Sequence, residues 1–186
     1  MDNGSENYRR FCENDDENGL IEIIRDYKDG LILYLTSIVG NIRIAEELTE
    51  DTFVLIGTKK PKDKGKASFK TWLYTIGRNT AIDYLRKNSK HTCVPFDDNP
   101  ELLNDENDIE ISYIKKEQQI AVHHSMRRLK AEYQQILWLI YFEELSNKEA
   151  ALIMKQSVHS IETLVYRARK ALRSQLEKEG FDYEKL

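Results

Sequence analysis

Apolar residues recur at helical spacing along most of this chain, and that periodicity constrains the fold more than any other feature of the sequence. In the clearest run, apolar side chains three or four positions apart fall on one side of a helix. Its members are Leu20, Ile23, Ile24, Tyr27, Leu31, Tyr34, Leu35 and Ile38. Only 8 glycines and 3 prolines occur in 186 residues, which argues against repeated tight turns. The chain is therefore predicted to be all-α.

Two further helices are predicted after a stop at Gly40 and Asn41. The apolar positions of the first are Ile44, Ala45, Leu48, Thr52, Phe53, Leu55 and Ile56. The second follows a basic loop and is capped by Ser68. Its apolar stripe comprises Phe69, Trp72, Leu73, Ile76 and Thr80, with Thr71 and Arg78 on the opposite side. The stripe predicts a core role for Trp72, although a platform that stacks on bases is the alternative.

The distribution of breakers and charge predicts two small helical domains joined by an acidic linker. Residues 1–19 are polar and are expected to form a disordered or frayed tail, and residues 20–90 form the first domain. Residues 91–111 contain two prolines and a run of acids without helical periodicity, which is typical of a linker. Residues 112–180 form the second domain, and residues 181–186 form a short tail.

The charge of the chain is polarised, although its net value is only −4. The segment from Lys59 to Lys90 is strongly basic, whereas the acids from Asp97 to Glu110 have no basic residue between them. The basic segment would attract a polyanion such as nucleic acid, and the acidic segment would repel one.

The same sequence gives no indication of a metal site, a cofactor or a disulfide. Cys12 and Cys93 lie far apart, and His123 and His124 are adjacent, so on a helix they cannot share a metal ion. No apolar run is long enough to span a bilayer, and the polar N-terminus is unlike a signal peptide. The protein is therefore expected to be cytoplasmic.

A helix-turn-helix is predicted near the C-terminus. Ser146 and Glu149 form the S-x-x-E pattern of a capping box, and Ser157 is a suitable N-cap for a longer second helix. The outward side of that helix carries His159, Ser160, Glu162, Thr163, Tyr166, Arg167, Lys170 and Arg173. Polar and basic residues in this arrangement suit a helix that enters the major groove. The alternative is an ordinary helical hairpin with a solvated charged face.

The acidic stretch AEELTEDTF, Ala45–Phe53, has several possible roles. Its four acids could form a solvated helix face, a docking face for a basic partner, a catalytic acid/base pair, or the metal ligands of a nuclease. Their spacing along one helix favours a surface over a metal site, because catalysis would need polar partners that converge in a pocket.

Three segments of the chain, in order, resemble the extracytoplasmic-function branch of bacterial RNA polymerase sigma factors. They are AEELTEDTF, FKTWLYTIGRNTAIDYLRK and ELSNKEAALIMKQSVHSIETLVYRARKAL. The resemblance runs from about Leu20 to Leu176. It implies a protein without chemistry of its own that binds core RNA polymerase, through the β′ and β subunits, and promoter DNA. It also implies an anti-sigma factor as a partner.

The resemblance assigns roles to individual residues. The face that docks on β′ would comprise Glu47, Glu50, Asp51 and Phe53. The melted −10 element would meet Lys59, Lys60, Lys64, Lys66, Ser68, Arg78, Asn79, Arg86 and Lys87. The −35 element would meet Ser157, His159, Ser160, Glu162, Thr163, Tyr166, Arg167 and Lys170. A free-standing helix-turn-helix regulator and a metal-dependent nuclease are the competing hypotheses.

Four positions depart from the pattern of that family. Glu50 stands where Gln is usual, which makes the docking face more acidic. Gly77 stands where Ala is usual, which indicates close packing or a kink. Glu162 and Leu164 stand where Lys and Arg are common. Because an acid repels phosphate but can accept a hydrogen bond from cytosine N4, Glu162 predicts an unusual −35 preference or a weaker −35 affinity.

Overall fold

A computed structural model of the chain describes residues 3–63, 65–89, 122 and 124–178. Regular structure in these residues is helical throughout, which confirms the predicted all-α class. The helices are α1 (Asn3–Asn14), α2 (Glu17–Val39), α3 (Ile42–Lys59), α4 (Phe69–Ser89), α5 (Ala131–Leu137), α6 (Asn147–Met154) and α7 (Val158–Lys178). The chain divides into two compact units, of which the first contains α1 to α4 and the second contains α5 and α7.

The predicted linker, residues 91–111, lies outside the described residues, as do Lys64, Lys90, Cys93 and His123. Within the described ranges, no helix combines the length and the apolar character needed to cross a membrane.

The expectation of a disordered N-terminal tail is wrong, because residues 3–14 form helix α1. Tyr8 and Phe11 are buried, and the Tyr8 ring packs against Trp72 with centroids 5.0 Å apart. The polar composition of the segment conceals these two aromatics, which sit three positions apart on one helix face. Asp16 then caps α2, accepting a hydrogen bond from the Asn18 amide, so α2 begins before the first residue of the predicted apolar run.

The core of the first unit lies between α2, α3 and α4. The predicted stop at Gly40 is confirmed: its φ of 72° is left-handed, and its amide donates a 2.8 Å hydrogen bond to the Thr36 carbonyl. Asn41 instead caps the next helix, its side chain accepting from the Ile44 amide at 3.0 Å. Fully buried side chains at the centre of the unit are Ile23, Leu31, Ile32, Tyr34, Leu35, Ile56, Phe69, Leu73 and Tyr74.

The buried face of α4 is rotated from the predicted stripe. Phe69 and Leu73 are buried as expected, but Trp72 and Ile76 are only half-buried. Thr71, predicted to face outward, has only 1% of its surface exposed, and Tyr74 is completely buried. The helix packs on both α2 and α3, so its buried face is wider than a single stripe of apolar residues reveals.

Helix α5 leads into one π-helical turn, Trp138–Phe142. Helical spacing with Ile136, Leu137 and Ile140 predicts that Tyr141 is buried. That prediction is wrong, because 49% of the Tyr141 surface is exposed. The wider turn changes the angle between successive side chains, so the 3.6-residue period no longer predicts which residues are buried. Trp138 is buried, stacks on Phe142 with centroids 4.3 Å apart, and donates from its indole nitrogen to Glu143 at 3.2 Å.

Candidate nucleic-acid interface

The predicted capping box at the start of α6 is present with both of its reciprocal hydrogen bonds. The Ser146 amide donates to the Glu149 carboxylate at 3.0 Å, and the Glu149 amide donates to the Ser146 hydroxyl at 3.3 Å. These contacts satisfy amides that would otherwise lack partners in the first turn. The apolar residues that follow the capping box, Ala150, Ala151, Ile153 and Met154, are all buried.

A tight turn joins α6 to α7 and is held by several hydrogen bonds. Lys155 has a left-handed φ of 55°, and the Gln156 amide donates to the Ala151 carbonyl at 3.0 Å. The Gln156 side chain donates to Glu132 of α5 at 3.1 Å and accepts from Ser160 at 2.8 Å. Ser157 caps α7 as predicted, accepting from the Ser160 amide at 3.1 Å. The turn therefore fixes the direction in which α7 leaves.

The outward side of α7 is polar and basic. Helical spacing predicts an apolar stripe of Ile161, Leu164, Val165, Ala168 and Leu172. Ile161, Leu164 and Ala168 are buried, and Val165 and Leu172 are half-buried. Seven of the eight residues predicted to face outward are exposed: His159, Ser160, Glu162, Tyr166, Arg167, Lys170 and Arg173. Thr163 is half-buried, and its hydroxyl donates to the His159 carbonyl at 3.1 Å. An exposed helix face with polar side chains towards its N-terminus and cations further along fits base and phosphate contact.

Glu162 and His159 lie one turn apart on this face. The His159 ring nitrogen is 3.9 Å from the Glu162 carboxylate, and both side chains are well exposed. Tyr166 is 69% exposed, so a large aromatic ring also reaches solvent on this side. The acid is thus in the position that the sequence predicted, on the outward face.

The acidic face predicted on α3 is present in the structure, but one of its four predicted residues is buried. Glu47, Glu50 and Asp51 are exposed, but only 6% of the Phe53 surface is exposed, so Phe53 belongs to the core beneath this face. The exposed apolar residue is its neighbour Val54, with 60% of its surface accessible. Val54 lies four positions after Glu50, and this i, i+4 relation could have identified it from the sequence.

The basic loop between α3 and α4 contains one lysine that is already engaged. The Lys60 ammonium lies 2.6 Å from the Asp15 carboxylate and 4.6 Å above the centre of the Phe11 ring. Lys59 and Lys66 are exposed, whereas Lys64 lies outside the described residues. Ser68 caps α4 as predicted: its hydroxyl accepts from the Thr71 amide at 3.3 Å.

The residues of α4 expected to meet DNA differ in exposure. Arg86 and Lys87 are exposed, with Arg86 3.3 Å from Asp83, and Asn79 is half-buried. Arg78 is also half-buried, and its Nε atom is buried without a hydrogen-bond partner in the described part of the chain. Burial raises the pKa of the Tyr34 phenol, and the nearby Arg78 guanidinium opposes that shift. Arg78 therefore reaches the core with part of its side chain.

These features define a class of protein: an all-helical nucleic-acid-binding protein with a helix-turn-helix and a separate unit that carries an acidic helix face. Two family models match the chain in order, Sigma-70 region 2 over residues 23–91 and Sigma-70, region 4 over residues 119–172. The chain belongs to the sigma-70 family of RNA polymerase sigma factors, in its extracytoplasmic-function branch.

Individual relatives agree with this assignment. RNA polymerase sigma factor YlaC of Bacillus subtilis is 28% identical over 84% of this chain and 91% of its own. The ECF RNA polymerase sigma factor SigM of the same organism is 29% identical over 82% of this chain and 92% of its own.

Solved structures share the fold at lower identity. CnrH, solved in complex with the cytosolic domain of CnrY, superposes with a TM-score of 0.63 at 16% identity, covering 95% of this chain and 96% of its own. The sigma factor RpoE of Bartonella quintana, solved with the anti-sigma factor NepR, gives 0.62 at 20% identity, covering 88% and 97%.

Proposed function

We propose that this chain is a promoter-specificity subunit, which binds core RNA polymerase and directs transcription initiation at promoters with −10 and −35 elements. The observation that carries the proposal is the presence of both sigma-70 regions, in order, on one chain. A protein with this role acts by binding and has no chemistry of its own. We expect it to act in the cytoplasm, where polymerase and DNA are found.

The acidic face of α3 is the proposed docking surface for the β′ subunit. Glu47, Glu50 and Asp51 provide negative charge for a basic partner, and the exposed Val54 adds an apolar contact among them. Charged groups around a small apolar centre are the usual composition of an interface. Phe53 supports this surface from the core instead of contacting the partner.

Promoter DNA is proposed to contact two separate surfaces. The melted −10 strand meets the end of α3, the loop that follows it, and α4. The exposed contacts are Lys59, Lys66, Arg86 and Lys87, and the half-buried Asn79 lies beside them on α4. The −35 duplex receives α7 in its major groove. Ser157, His159, Ser160, Glu162 and Thr163 lie towards the bases, and Tyr166, Arg167 and Lys170 lie further along the helix, towards the backbone.

An anti-sigma factor is a further proposed partner. The structural relatives CnrH and RpoE were both solved with a bound protein, and NepR in the second complex is an anti-sigma factor. The exposed acidic face of α3 is a surface that such a regulator could occupy in competition with polymerase.

Reconstituted transcription tests the proposal. Core polymerase with the chain is expected to initiate at specific sites in a genomic promoter library, whereas core alone does not. Asp51→Lys is expected to weaken core binding by roughly tenfold or more, because it reverses a charge at the proposed interface. Glu17→Lys, which makes the same charge change at an exposed position of α2, is the matched control.

A free-standing helix-turn-helix regulator gives the opposite pattern. Such a protein dimerises and binds a palindromic duplex without polymerase. Duplex binding by the isolated chain, together with no core binding and no initiation, would replace the proposed function with this one.

A further inference from the structure

Helix α1 contacts both ends of the loop that joins α3 to α4. At the start of this loop, the Tyr8 hydroxyl donates a 2.8 Å hydrogen bond to the Pro61 carbonyl. At its end, the Tyr8 ring packs against Phe69 with centroids 5.6 Å apart. One side chain of α1 therefore joins two points that the loop separates in sequence.

Lys60 makes a second attachment at the start of the same loop. Its ammonium pairs with Asp15 at 2.6 Å, donates to the Phe11 carbonyl at 3.4 Å, and lies over the Phe11 ring. The hydrogen bond and charge of Lys60 hold the pKa of Asp15 below its ordinary value. The residue also has a left-handed φ of 41°, so the backbone turns sharply where α3 ends. The ion pair and the cation–π contact hold Lys60 against Phe11 of α1 and against Asp15, the residue that follows this helix.

Helix α1 is itself closely packed, so it can serve as a fixed support. A Cβ at Gly19 would collide with the Asn7 carbonyl oxygen, and one at Gly4 would collide with Phe69. These close approaches hold the middle of α1 against α2 and its first turn against α4. Arg10 adds an ion pair to Asp16, the cap of α2.

We propose that α1 is a clamp that fixes the α3–α4 loop in the conformation that binds the melted −10 strand. Tyr8 and Asp15 are positioning residues, and Lys60 belongs to the clamp instead of contacting DNA. The inference rests on the proposed function, because that function gives the loop its DNA. A loop held in place before binding loses less conformational entropy when the strand arrives, and the complex is tighter for that reason.

Two substitutions each remove one contact of the clamp with little risk to folding. Tyr8→Phe removes the hydroxyl that donates a hydrogen bond to the Pro61 carbonyl and keeps the ring packing. Asp15→Asn removes the charge opposite Lys60 at a side chain that is 87% exposed. Glu13→Gln is the matched control, because it neutralises another exposed acid near the end of α1.

Three quantities are measured for each full-length variant. The first is the ¹⁵N relaxation order parameter of loop amides, including those of Lys62 and Lys66, in the free chain. The second is the affinity for core polymerase. The third is the affinity of the reconstituted holoenzyme for a fork-junction DNA whose −10 segment is single-stranded, taken from a promoter on which the wild type initiates.

Both clamp variants are expected to loosen the loop, with order parameters falling from about 0.85 towards 0.6. Fork-junction affinity should fall roughly three- to tenfold, the equivalent of one hydrogen bond or ion pair. Core affinity should stay within twofold, and Glu13→Gln should match the wild type in all three measurements. A protein that is merely destabilised would lose core affinity as well.

Either of two results would overturn the proposal that α1 fixes the loop for DNA binding. Unchanged loop order parameters in both variants would show that α1 does not hold the loop. Tighter fork-junction binding by Asp15→Asn would show that Asp15 competes with DNA for Lys60, which would then be a phosphate contact. If the wild type directs no initiation, the proposed function fails, and the relaxation data still decide separately whether α1 holds the loop.

Discussion

Gly77 on α4 packs directly against Leu31 on α2. A Cβ at Gly77 would lie 2.9 Å from Leu31 Cδ1, closer than two carbons normally approach, and Leu31 is completely buried. The absence of a side chain at position 77 therefore sets how closely these two helices pack. Close packing, one of the two explanations that the sequence suggested for this glycine, is what the structure shows.

We expect Gly77→Ala to destabilise the protein by about 1 kcal/mol. Overpacking costs about 1–3 kcal/mol, and the higher helix propensity of alanine returns at most about 1 kcal/mol. Gly57→Ala in α3 is the control, because its Cβ would meet only Leu20 Cδ2, at 3.2 Å. That control should be neutral or stabilising in urea unfolding. Equal destabilisation by the two variants would contradict the packing explanation.

Thr49 and Thr52 are both buried on α3 but differ in their hydrogen bonds. The Thr52 hydroxyl donates to the Leu48 carbonyl at 2.7 Å, whereas the Thr49 hydroxyl has no partner within the described ranges. A buried hydroxyl without a partner costs about 1–3 kcal/mol. The free energy of unfolding of Thr49→Val should therefore exceed that of Thr52→Val by about 1 kcal/mol. The reverse order in chemical denaturation would show that Thr49 has a partner.

Tyr34 predicts how stability changes at alkaline pH. Burial raises its pKa above the ordinary value of 10.0, so the folded state holds the phenolic proton after the unfolded state has lost it. The stability due to this group is fully present below pH 10. Above that pH it decreases by up to about 1.4 kcal/mol per pH unit, until the folded-state pKa is reached.

Tyr34→Phe removes this contribution. The variant should lose less unfolding free energy than the wild type between pH 9.5 and about 11, measured by urea titration. Tyr166→Phe, at an exposed position of α7, should follow the wild type. Parallel curves for wild type and Tyr34→Phe would mean that Tyr34 ionises normally in the folded protein.

Glu162 predicts a measurable effect on DNA binding by the holoenzyme. Glu162→Lys should increase affinity for the −35 element and steepen its salt dependence, because it replaces a charge that repels phosphate with one that attracts it. Arg167→Gln should change both quantities in the opposite direction. If Glu162→Lys leaves both affinity and base preference unchanged, the side chain of Glu162 does not face the groove.

Much of the site on α7 could be predicted from the sequence because its signals are local. The reciprocal bonds of Ser146 and Glu149, and the cap at Ser157, depend on residues three positions apart. Burial of Ile161, Leu164 and Ala168 follows from the helical period of a helix with one buried face.

The sequence was less informative where helices pack on several sides. The sequence predicts an outward-facing Thr71 and a buried Tyr141, and the structure reverses both. Phe53 is buried, as its place among the apolar positions predicts, and only its predicted place on the docking face is wrong. In α4 the buried face is wider than one stripe, and a π-helical turn shifts the helical period at Tyr141.

The sequence by itself determined the helical class, the family and the helix caps at Ser68, Ser146 and Ser157, because each depends on residue types at short, fixed spacings. Only the tertiary structure decided that Tyr8 meets Pro61 and that Lys60 meets Asp15, across separations of 53 and 45 residues. Contacts over such distances depend on how whole helices pack. The packing depends on shape at positions such as Gly4, Gly19 and Gly77, where local periodicity carries no signal.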